Sequence, residues 1–301
     1  MVALCLPLVA PLSSNGSMRK PVPKPASMNY CVPLDHDAPW EQWRDQLRSN
    51  FSIIPVIGVE LEWHLYTHEG IPASDAQRAS YIHAWNAAVA TMLAEERGHG
   101  QVEATLMHRC DLHALLAEEA TIRAFAQQLA PSHELNACFR AKPSPNHYGS
   151  GMHVHLHLEN LHGASLFEKN GDTLSPALRD SLAGLLYHMR EDIDVFAGSS
   201  AAKARYVPHY DAPTTVSWGG NNRTVALRLP DGVGHLTGHE ALRLHPPSPH
   251  RRIEHRVASS EANLAEVLRV ILRAIFWGLT HHYPLIPPSY GNAHQSNCSL
   301  L

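Results

Sequence analysis

An α+β fold, a mostly antiparallel curved sheet covered by helices, is the class that this 301-residue sequence predicts. Three observations predict it. Several short segments place ionisable residues on one strand face and apolar residues on the other. Long amphipathic helical stripes lie between them. Neither a GxxxxGK[ST] nor a GxGxxG run marks a nucleotide-binding βαβ unit.

The stretch GVELEWHLY, Gly58 to Tyr66, sets the pattern. At period two, Val59, Leu61, Trp63 and Leu65 share one face, and Glu60, Glu62 and His64 share the other. Alternate residues on a strand sit ~6.6 Å apart, so two carboxylates and an imidazole line up along the pleat. Alone, this strand reads equally well as one with a solvated face. Later segments repeat the design. GMHVHLHL sets His153, His155 and His157 against Met152, Val154, Leu156 and Leu158. TVALRLP sets Arg228 against Val225, Leu227 and Leu229, and RRIEHRV groups Arg252, Glu254 and Arg256 over Ile253 and Val257.

The helical signals follow in order. Residues 38–50, APWEQWRDQLRSN, read as a short helix with its proline in the first turn. Ser74 opens Ser-Asp-Ala-Gln, a capping box for a helix running to about Glu95. A glycine-rich loop, ERGHGQVE, then lies between Glu96 and Glu103. A helix from about Asp111 buries Leu112, Leu115, Leu116, Ile122, Ala126 and Leu129. Another starts at Ser175-Pro176, buries Leu178, Leu182, Leu185, Met189, Ile193 and Phe196, and stops near Gly198. The last spans roughly Glu261 to Leu279. These stripes are core and carry no chemistry.

Composition excludes several classes. With 24 basic and 28 acidic residues the net charge is −4, which is no nucleic-acid footprint. No run is long enough to span a bilayer, and Met1 to Leu12 lacks the basic start of a secretory signal. Five cysteines, scattered and never spaced CxxC, argue for reduced thiols and a cytoplasmic protein. Residues 13–37 are rich in Ser, Pro and Asn and read as linker or disordered arm. The expected organisation is an N-terminal extension over 1–50, largely linker with one short helix, and a single folded domain over 51–301. The 23 histidines are the compositional oddity. Ionisable strand faces turned toward one cavity would give carboxylate and imidazole ligands for hard divalent cations, with guanidinium forks for phosphate. That is the equipment of ATP-dependent phosphoryl transfer without a P-loop.

Six motifs in order make the chain resemble the catalytic domain of the glutamine synthetase family, the ATP-dependent glutamate–ammonia and glutamate–amine ligases. They are GVELEWHLY, ERGHGQVE, AKPSPNHYGSGMHVHLHL, ARYVPHYDAP, NNRTVALRLP and RRIEHRVASSEAN, from Gly58 to Asn263. The resemblance implies the glutamine synthetase/guanido kinase-like catalytic fold, ATP, and two Mg2+ or Mn2+ ions. One ion would be held by Glu62, Glu96 and Glu103, the other by Glu60, His153 and Glu254. Arg223, Arg228 and Arg252 match positions that hold ATP phosphates or the transferring phosphoryl group. Arg205 and Arg256 match those that grip the acid's carboxylate, and Gly149 lies in its binding loop. Asp211 matches the group that takes the amine's proton; with Arg223 and Glu254 it is the expected catalytic set.

Departures from the family pattern are informative. Fewer than sixty residues precede the paired glutamates, where the family places a β-grasp domain of about a hundred. The expected assembly is therefore a small homo-oligomer and not the family's double ring. Tyr148 stands where the binding loop usually has asparagine, Asp211 replaces a glutamate, and His157 replaces a serine near the nucleotide. The expected reaction joins a glutamate-like acid to an amine other than ammonia through an acyl-phosphate. The same cations and arginines would also serve a phosphotransferase of guanidino-kinase type, or a non-catalytic nucleotide- and metal-binding homologue.

Overall fold

The strand carrying the paired glutamates extends well beyond its motif. The computed structural model describes residues 35–168, 174–230, 251–296 and 298–301, and in it this strand, β1, runs over Ile53–Thr67. The folded body spans His36–Leu301. All but the last three residues of the expected linker lie outside the described residues. Further strands are β2 (Leu93–Glu95), β3 (Gln101–Arg109), β4 (Leu135–Cys138) and β5 (Met152–Asn160). Three short ones follow, β6 (Trp218–Gly220), β7 (Leu227–Leu229) and β8 (Ile253–His255). Among the described residues they form one sheet, ordered β2–β3–β1–β5–β8–β7–β6, with β4 paired to the end of β1. Every pairing is antiparallel except β6–β7.

The period-two reading holds along these strands. Leu61, Trp63, Leu65, Val154, Leu156, Leu158, Leu227, Leu229 and Ile253 are all fully buried. Six helices among the described residues complete the body: α1 (Trp40–Phe51), α2 (Asp75–Ala88), α3 (Leu112–Leu129), α4 (Pro176–His188), α5 (Ile193–Ala197) and α6 (Leu264–His281). Helix α1 buries Trp43 against Phe276 and Trp277 of α6, at centroid distances of 5.5 and 6.0 Å. Aromatic contacts of this kind tie it to the body. No helix among the described residues is long and apolar enough to cross a membrane.

Two helices end earlier than their sequence patterns predict. The capping box at Ser74 forms, with Ser74 and Gln77 bonding reciprocally, but α2 stops at Ala88 and Leu93–Glu95 is strand. Here Trp85 Nε1 donates to the Thr91 carbonyl at 2.8 Å. The Asn86 amide meanwhile bonds both the N–H and the carbonyl of Leu93. These side chains take the backbone groups that a further helical turn would have used. The expected helix from Ser175 to Gly198 is likewise broken into α4 and α5. The break falls beside Asp192, whose carboxylate pairs with buried Arg273 of α6. Side-chain demands of this kind are invisible to apolar periodicity.

Helices α4 and α6 cross at glycines. A Cβ on Gly184 would lie 2.1 Å from the Ala274 carbonyl oxygen, and one on Gly278 would lie 2.2 Å from that of Asp180. Alanine is the better helix former by about 1 kcal/mol. The backbone clash outweighs this, because overpacking a rigid crossing costs about 1–3 kcal/mol or more. Gly184→Ala and Gly278→Ala should each lower the urea midpoint of unfolding despite the gain in propensity. An unchanged or raised midpoint would show that the crossing relaxes freely.

Candidate active site

Sheet register assembles the site. Pairing of β1 with β5 sets Glu60 opposite His153, and pairing of β1 with β3 sets Glu62 opposite Glu103. On the other side of β5, His155 faces Glu254 of β8, and Glu254 in turn faces Arg228 of β7. Ionisable faces from five strands therefore meet on one side of the sheet. They line a cavity of ≈ 90 Å3 bounded by Glu60, Glu62, Glu96, Glu103, His153 and Glu254, with Arg205, Arg223, Arg228 and Arg256 around them.

Two groups in this cavity have the spacing of cation ligands. Glu60, His153 and Glu254 form one, and Glu62, Glu103 and His153 the other; within each, ligand atoms lie within 4.8 Å of one another. His153 Nδ1 is 3.5 Å from Glu60 and 3.8 Å from Glu254, and Nε2 is 3.8 Å from Glu62. Nδ1 is buried and makes no hydrogen bond. Such gaps suit oxygen and nitrogen atoms that share an ion at roughly 2.0–2.6 Å from each. The donor chemistry agrees, since carboxylates with one imidazole favour hard divalent cations.

Electrostatics point the same way. Burial and the neighbouring carboxylates of Glu60, Glu62, Glu96 and Glu254 push Glu103 up to about 9. Burial and repulsion from Glu62 raise Glu96. Glu60 goes the opposite way: burial opposes its ionisation, but His153 and His155 outweigh that and hold it well below the usual range. For Glu254, burial is again overcome, chiefly by Arg256 and then by His155, His153 and Arg228, leaving it at about 2. One cavity thus mixes carboxylates held below the usual range with others that burial and acidic neighbours push above it. Divalent cations would relieve this crowding, so the residues fit them.

Most of the residues singled out by sequence come together, with differences. Glu96 lines the cavity but stands outside the Glu62–Glu103–His153 group. His64 does not line the cavity; its Nδ1 and Ser150 Oγ are hydrogen-bonded at 3.0 Å. Arg228 donates to Glu254 at 2.8 Å and to Asn221 Oδ1 at 2.6 Å, and Arg256 pairs with Glu254. Arg205 is buried, donating to the carbonyls of Val257 and Arg256, and lies against Gly149, where a Cβ would approach its side chain to 2.8 Å. Arg223 is exposed at the rim. Arg252 sits apart: it donates to His155 Nδ1 at 2.9 Å and lines a second cavity with Glu60, His108 and His155. His157, also off the main cavity, bonds Glu159 at 3.0 Å.

Sequence reasoning missed four contributors. Gln101, inside ERGHGQVE, is buried and donates to Glu62 Oε2 at 3.1 Å and to the Gly149 carbonyl at 3.0 Å. The Gly151 N–H reaches the same Glu62 oxygen at 2.7 Å. Arg97 pairs with Asp211 at 2.7 Å, and Tyr210 packs edge-on to Tyr148 at 5.7 Å. The loop glycines around Gln101 were legible, but a lone glutamine carries no spacing signal.

Fold and site together define a mostly antiparallel sheet whose ionisable faces bring two groups with the spacing of cation ligands into one cavity. Residues 77–300 match the family described as glutamine synthetase, catalytic domain, so the chain belongs to the glutamine synthetase family. It is 32% identical over 197 residues to gamma-glutamylputrescine synthetase PuuA of Escherichia coli (strain K12), covering 65% of this chain and 39% of that protein. It is also 32% identical over 213 residues to glutamine synthetase of Thermus thermophilus, covering 64% and 47%. A glutamate–isopropylamine ligase of Pseudomonas sp matches at 28% over 208 residues, 68% of this chain and 42% of that one. The chain thus spans less than half the length of these relatives. Its fold matches a solved structure, "Apo GmaS without ligand", with a TM-score of 0.70 at 21% identity, over 86% of this chain and 62% of that one.

Gln101 offers a direct check on how the site is held. Gln101→Leu keeps the volume but leaves Glu62 with only the Gly151 N–H. Outer partners of metal ligands are worth about 10–100-fold in metal affinity. A Mn2+ titration should therefore show at least tenfold weaker binding in the variant, and equal affinity would remove Gln101 from the site.

Proposed function

We propose that this chain carries the catalytic site of an ATP-dependent ligase that joins a glutamate-like acid to an amine other than ammonia. The observation that carries this reading is the convergence of five glutamates, one histidine and four arginines on one cavity. Family membership supports it, as do relatives named for glutamate–amine products. Small-molecule acid and amine are its partners. Dependence on ATP and the free thiols of Cys110, Cys138 and Cys298 suit a cytoplasmic setting.

In this reading Glu60, His153 and Glu254 hold one Mg2+ or Mn2+, and Glu62, Glu103 and Glu96 the other. When bound, the ions neutralise charge on the phosphate oxygens. Arg223 and Arg228 on this cavity, with Arg252 from the adjoining cavity that shares Glu60, steady the phosphates, and Arg205, Arg256 and the Gly149 loop orient the acid. A carboxylate oxygen of the acid attacks the γ-phosphorus of ATP, the bond to the β–γ bridging oxygen breaks, and ADP leaves. The amine nitrogen then attacks the acyl carbon, the C–O bond to phosphate breaks, and Asp211 takes the proton lost from nitrogen.

Glutamate and ATP with hydroxylamine should give a hydroxamate, the trapped acyl-phosphate, and excess chelator should abolish it. Glu62→Ala and Glu254→Ala should lose turnover while the chain still folds. Turnover in chelator, or ATP consumption with a phosphorylated product and no hydroxamate, would overturn the ligase. Asp211→Asn should keep hydroxamate formation and lose most amide formation. If it lowers thermal stability and leaves the ratio of amide to phosphate unchanged, Asp211 is structural.

A further inference from the structure

The mouth of the cavity differs in kind from its floor. Asp211, the acid that faces the incoming amine in the reading above, is already paired. Arg97 Nη1 lies 2.7 Å from its Oδ2, with the two side chains 48% and 32% exposed. Arg97 belongs to the loop that carries Glu96, whereas Asp211 belongs to a distant loop and has left-handed backbone, φ 59°. Next to it the ring of Tyr210, whose face could attract an ammonium, is covered by Lys142 Nζ at 3.8 Å from the centroid. Exposed Arg223 adds a third cation to the cavity wall. Asp211 and the face of Tyr210 are thus both occupied by the protein's own cations.

Which amine displaces them is a question of charge. A simple monoamine on Asp211 strands the Arg97 guanidinium without its partner. A diamine does worse, bringing a second ammonium toward Arg97 and Lys142. An amine that also carries a carboxylate exchanges partners evenly: its ammonium takes Asp211 and its carboxylate takes Arg97, a geometry that a planar fork favours. Tyr148 and Tyr210, edge to face at 5.7 Å beside this pair, offer an apolar wall for intervening methylenes.

We infer that the amine substrate is a zwitterion, an amino acid that binds by exchange with the Arg97–Asp211 ion pair. The inference rests on the ligase reading and names its amine. Arg97 is then a specificity-determining residue, set to favour an anionic tail and to turn away a second cation.

Three four-carbon amines test it: 4-aminobutanoate, 1-aminobutane and 1,4-diaminobutane, each supplied with glutamate and ATP while amide is measured. Wild type should rank them in that order by kcat/KM, with the first ahead of the last by roughly tenfold or more, the scale of one half-exposed ion pair formed and one repulsion avoided. Arg97→Glu should invert the order of the two charged amines, and Arg97→Ala should bring them within about threefold of each other. A purely structural Arg97 would change all three rates together and leave the ranking alone. Preference of wild type for diaminobutane, or a ranking that neither variant moves, would overturn the inference. Hydroxamate formation separates the two levels: if it is absent in wild type the ligase reading fails and this inference falls with it, and if it is present with the wrong ranking only this inference fails.

Discussion

Everything in this molecule answers to one constraint: five glutamate carboxylates must be held within one small cavity, against their mutual repulsion. Buried like charges at such spacing are unfavourable unless something compensates them. The sheet imposes the spacing, because registers β1–β3 and β1–β5 leave Glu60, Glu62, Glu103 and His153 no other place. An apolar back of Leu61, Trp63, Leu65, Val154 and Leu156, all fully buried, locks those registers, since a slip of one residue would turn every carboxylate into the core. Hydrophobic burial thus holds the strands in place, and the charges ride on them.

Compensation comes from three directions, and their order suits the chemistry. Arg228 and Arg256 clamp Glu254 from β7 and from the chain just after β8, while His153 and His155 hold Glu60 ionised. Among the described residues Glu103 has no comparable cationic partner, and burial with its acidic neighbours pushes its pKa up. The cavity is therefore polarised, with settled charge on the β5–β8 side and unsettled charge on the β3 side. On the proposed reading, a cation entering between them would meet ligands already held in place by groups such as Gln101, which is how a site avoids reorganising when it is loaded.

Legibility in the sequence follows the same division. The ionisable faces of β1, β5, β7 and β8 could be read because strand periodicity is a short-range property, and six ordered motifs fixed their relation to one another. Glu60, Glu62, His153, Glu254, Arg228 and Arg256 all meet as those faces implied, and Glu103, read as the end of a loop, joins them from β3. What could not be read depends on contacts between distant segments. The end of α2 is set by Trp85 and Asn86 bonding to Thr91 and Leu93, and the break between α4 and α5 lies beside the Asp192–Arg273 pair. Arg97 and Asp211 are more than a hundred residues apart on loops, where no periodicity operates. His64 shows the converse: its strand position promised a place in the cavity, but it is not among the lining residues and its ring bonds Ser150 Oγ.

Placement on strand or loop also bears on how such a site can change. Groups on the cavity floor are fixed by paired backbone on both sides, so altering one disturbs a register shared by its neighbours. At the mouth, Asp211 and His209 adopt left-handed backbone on a single loop, at a cost of about 1–2 kcal/mol for such residues, with aspartate among the more tolerant. That loop is held by side-chain contacts: Arg97 on the Asp211 carboxylate, Arg256 on its carbonyl at 3.3 Å, and Lys142 on the face of Tyr210. Contacts of this kind can be exchanged one at a time without touching the sheet. On the proposed reading, phosphate chemistry and choice of amine would thereby fall under separate structural control, the first in backbone register and the second in a few replaceable charges.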